Sequence, residues 1–89
     1  MAGVDKHTIL EEKASYIERV EDYKFLLYYN LNKLKVYDNL NPHYFLYRIE
    51  LDQKEEIENT INVCRSRIKY YTELIKKRED LLFIFSKTL

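Results

Sequence analysis

Catalytic or metal chemistry in this chain can draw on one cysteine, two histidines and one local run of carboxylates. Cys64 alone makes no internal disulfide, and with only His7 and His43 beside it the chain falls short of a zinc site. Set among apolar residues at helical spacing, Cys64 reads as a small buried hydrophobe. Arg65 and Arg67 are near it in sequence but point elsewhere round a helix, so they do not activate a thiolate. His7 and His43 fall at helix starts far apart in sequence and offer no paired base or ligand. Glu50, Asp52, Glu55, Glu56 and Glu58 crowd toward one helix N-terminus, where acids suit the helix dipole, and no Glu-x-x-His pair accompanies them. A glycine-rich phosphate loop, a nucleophile elbow, His-Glu-x-x-His and Cys-x-x-Cys are missing. The expectation is a non-enzymatic protein with no cofactor and no bound metal.

Recognition chemistry is better represented. The last 25 residues hold seven basic and three acidic groups, against two and five in residues 42–64. Arg65, Lys69, Lys76 and Lys77, interleaved with Tyr70 and Tyr71, could contact phosphates while the rings stack on bases, as in a helical dimer that binds nucleic acid. Glu73 and Asp80 lie beside that stripe at i,i+4 spacings, which is the pattern of a solvated, salt-bridged helix face. Across the whole chain 15 bases balance 15 acids, which removes any bulk attraction to nucleic acid or anionic lipid. Nucleic-acid binding is therefore the second reading and protein recognition the first.

The elements that position these residues follow from spacing. Ile57, Ile61, Cys64, Ile68, Tyr71, Ile75, Arg78, Leu82 and Phe85 alternate at intervals of four and three, a heptad seam that closes the fold or a dimer. Arg78 is its one charged member. It either snorkels to water on its apolar stem or fixes the register of the seam. Upstream, Thr8-Ile9-Leu10-Glu11 reads as a capping box, and Ile9, Tyr16, Val20, Tyr23, Leu27, Leu31 and Leu34 share one helical face. The opposite face is polar at first but fails beyond Phe25. Between Phe25 and Tyr37 nine of thirteen residues are apolar or aromatic, so Phe25, Leu26, Tyr29, Val36 and Tyr37 form a candidate partner surface.

Asn41-Pro42 breaks the first helix, and Asp52 offers a second capping signal or a bend. Residues 43–51 fit a short helix better than a strand that has no partner. One Gly and one Pro leave almost no material for the turns of a sheet. The fold class expected is all-α: an antiparallel hairpin of two long helices, about 8–37 and 52–86, with a short helical connector. Residues 1–7 read as a flexible N-terminus and 8–89 as one helical domain. The apolar content of 46% exceeds what two helices can bury between themselves, so a homodimeric four-helix bundle is expected, with a further protein as partner.

No apolar run approaches the ~20 residues of a membrane span, and no signal peptide is visible, so the expected location is cytoplasmic. Phe, Tyr, Met, Ile, Asn and Lys supply 38 residues against nine from Gly, Ala, Arg and Pro, which points to an AT-rich genome. A small regulator, inhibitor or immunity-type protein of a phage, virus or other mobile element fits such a chain.

Overall fold

The computed structural model describes the backbone of residues 5–39 and 48–87, and the side chains of residues 5–36 and 52–87. Two helices account for all of it but Asp5: α1, Lys6–Asn39, and α2, Arg48–Lys87. They pack side by side as an antiparallel hairpin, giving a rod with extents of 66 × 22 × 14 Å.

The start of α1 differs from the capping box expected at Thr8. Asp5 caps the helix instead: its Oδ1 accepts the Thr8 N–H at 2.7 Å, and its carbonyl accepts the Ile9 N–H at 3.2 Å. Aspartate is the stronger N-cap, and starting a turn earlier carries Ile9 into the helix, where it is fully buried. Glu11, freed from a capping role, meets the His7 ring at 2.9 Å on the surface. Asp52 does not start a helix either. No Gly or Pro interrupts residues 48–87, and α2 runs straight through Asp52 from Arg48. Residues 48–51, expected in a separate connector, thus belong to α2, while the rest of the expected connector, through residue 47, lies outside the described residues.

The two helices meet along matched heptads. On α2 the line from Ile57 to Phe85 faces the hairpin core: Ile57, Ile61 and Cys64 are buried, and Ile68, Tyr71, Ile75, Arg78, Leu82 and Phe85 are half-buried. On α1 the facing line is Ile9, Lys13, Tyr16, Val20, Tyr23, Leu27, Asn30 and Leu34, also at four-three spacing and all buried or half-buried. Lys13 and Asn30 are unexpected members of that line, and Leu31 sits half-buried at its edge. The contacts run in step along the rod. Glu12 meets Arg78, Arg19 meets Tyr71, and Asn30 lies with Ile57 and Thr60 around one cleft. Asn30 is tolerated inside because its Nδ2 donates to the Leu26 carbonyl at 2.8 Å.

Candidate interaction surface

Each helix fills one stripe against the other and leaves the rest of its circumference to solvent. On α1 the exposed side carries Phe25, Tyr29 and Val36, spaced four and seven apart, with Phe25 77% exposed and Val36 also bordering the cleft shared with Gln53, Glu56 and Ile57 of α2. The Lys33 ammonium lies 4.7 Å above the Tyr29 ring. Leu26 projects from the flank of the same segment and is also exposed. The side chain of Tyr37, the fifth member of this candidate surface, lies outside the described residues.

A second exposed stripe was not visible from the seam alone. Val63, Arg67, Tyr70, Leu74, Lys77, Leu81 and Ile84 repeat the seam's four-three spacing one residue earlier. One residue is about 100° of helix rotation, so this line runs beside the seam rather than opposite it. Val63, Tyr70, Leu81 and Ile84 are exposed apolar side chains, and Leu74 is half-buried. The signal was available in the sequence as a second heptad in phase with the first; the basic residues Arg67 and Lys77 masked it.

Between the stripes the hairpin carries a cluster of tyrosines and charges. Tyr71, from the seam, has ring neighbours in Tyr70 at 5.2 Å, Tyr16 at 5.9 Å and Tyr23 at 6.1 Å. Arg19 donates through Nη1 to the Tyr71 hydroxyl at 3.0 Å and lies 5.5 Å from its ring centroid. That hydrogen bond also holds the Arg19 guanidinium above its ordinary proton affinity. Arg78 neither snorkels freely nor stands unpaired. Its Nε donates to Glu12 Oε2 at 2.6 Å, and its guanidinium lies 5.7 Å from the Tyr16 ring. The Glu12 hydrogen bond strengthens the charged form of Arg78. On the other side of the same level, Lys13 Nζ reaches Glu79 Oε1 at 3.5 Å. The one level where both seams place a cation is thus flanked by two acids, one from each helix.

Cys64 is fully buried, and burial pushes its thiol above the usual range, which disfavours the nucleophilic thiolate. Among the described residues no group of three or more His, Cys, Asp or Glu is placed to hold a metal ion. His7 is exposed beside Glu11, and His43 lies outside the described residues. Asp52, Glu55, Glu56 and Glu58 are exposed, and Glu50 lies outside the described side chains. Arg65, Lys69, Lys76 and Lys77 are all exposed. Arg65, Lys69 and Lys76 share one outer stripe of α2, while Lys77 stands about 100° round from Lys76 on the apolar stripe.

No described helix is long and apolar enough to cross a membrane. Comparison with protein-family models, with curated proteins and with solved structures returned no significant match.

Proposed function

We propose that this protein is a non-enzymatic protein–protein interaction module. It self-associates as a homodimer toward a four-helix arrangement and docks a second protein through the aromatic band on α1, as a small regulator, inhibitor or immunity factor of a phage, virus or other mobile element. The observation that supports this most is the outward placement of Phe25 and Tyr29, one turn apart on α1 and outside the four-three line that faces α2, with exposed Val36 beyond them at the edge of the inter-helix cleft. An aromatic side chain buries about 150–250 Å² when covered, so a band of this kind supplies anchors for a helix-face partner. An intracellular setting goes with the single thiol, Cys64, which has no disulfide partner in its own chain.

The test is affinity capture from the native host with mass spectrometry, run beside a Phe25→Ser/Tyr29→Ser variant. Because both side chains are exposed, the variant should keep its helicity and stability within about 0.5 kcal/mol. A partner held by the parent chain and lost by the variant is the expected result. Equal capture by both refutes docking through the band. Phosphate binding by Arg65, Lys69 and Lys76 is the second reading, favoured by their exposure on one stripe. Retention on heparin or DNA with a steep salt dependence would select it.

A further inference from the structure

We infer that the partner of the second stripe on α2 is the same stripe of another copy, running antiparallel, with Leu74 on the two-fold axis. This rests on the self-association reading above and specifies its surface, direction and register. In a four-helix bundle each helix meets two neighbours at roughly a right angle. The stripe through Val63, Tyr70, Leu81 and Ile84 stands about 100° from the seam that α1 fills, so α2 already carries the second of two adjacent contact faces.

Charge selects the direction. Parallel pairing sets Arg67 against the partner's Arg67 and Lys77 against the partner's Lys77, and like charges at facing seam positions repel. Antiparallel pairing about Leu74 sets Val63 against the partner's Ile84 and Lys77 against the face of the partner's Tyr70. It brings Lys77 within reach of the partner's Glu73. Arg67 comes opposite the partner's Leu81, about one helical turn from the level of the partner's Glu12. Its stem covers Leu81 while its guanidinium reaches toward that carboxylate, which accepts one hydrogen bond from its own Arg78 and keeps capacity for another. Sliding by one heptad toward the connector opposes Ile84 to the partner's Glu56, and sliding by one heptad the other way sets Lys77 against the partner's Lys77, so the register is selected as well.

The area is sufficient. Val63 to Ile84 spans ~32 Å of helix. With the hairpins packed face to face, so that α1 is covered beside the α2 stripe over the full 22 Å width, this gives about 700 Å² per copy and about 1,400 Å² in all, inside the range of roughly 1,200–2,000 Å² for stable complexes.

Sedimentation and cysteine cross-linking of the full chain test the inference. Cys64 is buried and stays silent. The parent chain should sediment at twice its 10.9 kDa at tens of micromolar. Under mild oxidation Leu74→Cys should convert mostly to a covalent dimer, because disulfide geometry needs Cα atoms within about 7 Å and only a residue on the axis lies that close to its own copy. Val63→Cys should stay uncrosslinked, and adding Ile84→Cys to it should restore cross-linking. Leu74→Asp should sediment as a helical monomer. A parent chain that is monomeric refutes self-association itself, and this inference with it. A parent dimer in which Val63→Cys cross-links to itself, or Leu74→Cys does not, leaves self-association standing and overturns the antiparallel stripe.

Discussion

Neutralising either end of the Arg78–Glu12 pair should destabilise the hairpin, and the two losses should not add. The 2.6 Å contact joins side chains that keep 23% and 35% of their accessible surface. An exposed ion pair contributes about 0.2–1 kcal/mol, and a sheltered charged hydrogen bond about 1.5–3 kcal/mol. Arg78 and Glu12 stand between these cases, so a coupling of about 1–1.5 kcal/mol is expected after allowance for solvent screening. Arg78→Met keeps an unbranched stem against Tyr16 and removes the guanidinium; Glu12→Gln keeps the shape and removes the charge. Each alone should lower Tm by about 4–8 °C in a domain of this size. The double variant should fall little further, because the second change removes a group whose partner has already gone. Urea and thermal unfolding followed by circular dichroism would measure the cycle. Protein at about 1 µM or below keeps self-association from adding a concentration term. A coupling below about 0.3 kcal/mol, the scatter of independent sites, would refute the claim that this pair ties the helices together.

Cys64 should resist thiol reagents in the folded hairpin at pH 8, because burial both shields it and pushes its thiolate to higher pH. Labelling should run at least ~100-fold slower than in urea and track the opening of the helices; complete labelling within the dead time would refute the packed seam. At the other end of the core, the Thr8 N–H holds the Asp5 carboxyl below its ordinary range. The sign follows: a depressed native pKa contributes stability above the unfolded value near 3.8, lost as pH falls through the lower native one. Thr8 and Ile9 amide exchange should therefore quicken as acid protonates Asp5, whereas Asp5→Asn, which caps as well without titrating, should remove that dependence. An unchanged acid response in Asp5→Asn would show that Asp5 is not the cap.

The long-range architecture was legible because it is written in period rather than in identity. The four-three line from Ile57 to Phe85 survives two anomalies, Cys64 and Arg78, since seven-residue spacing is read over the whole helix. The matching line on α1 was harder, because Lys13 and Asn30 occupy seam positions. Each is admitted by a local partner that hydropathy does not register, Glu79 for Lys13 and the Leu26 carbonyl for Asn30. Helix starts were misread for a different reason. Thr8 and Asp52 both satisfy a capping rule, but a cap competes with every other cap nearby, and with continuing the helix. The tyrosine and arginine cluster was invisible because it joins Tyr16, Arg19 and Tyr23 to Tyr71 across the hairpin, and no spacing within one helix encodes that meeting.

These two surfaces are compatible in space, which bears on how docking would work. Leu74 lies level with the Tyr16 region of α1, as the shared contacts of Tyr71 and Arg78 with Tyr16 fix. The band around Tyr29 therefore sits 13 residues, or ~20 Å, along the rod from that level, toward the connector end. A two-fold axis at Leu74 overlaps the hairpins by their other ends, over levels that reach Phe25, and leaves the Tyr29 and Val36 part of each band beyond the Val63–Ile84 contact, ~40 Å apart. Two identical docking faces at a fixed separation convert a weak site into a bivalent one when the target presents two copies. Leu74→Asp would then weaken capture of a repetitive target without touching the band, whereas Phe25→Ser would weaken capture of any target. An interaction in which Leu74→Asp and the parent chain bind a repetitive target alike would separate the two surfaces and leave the band acting alone.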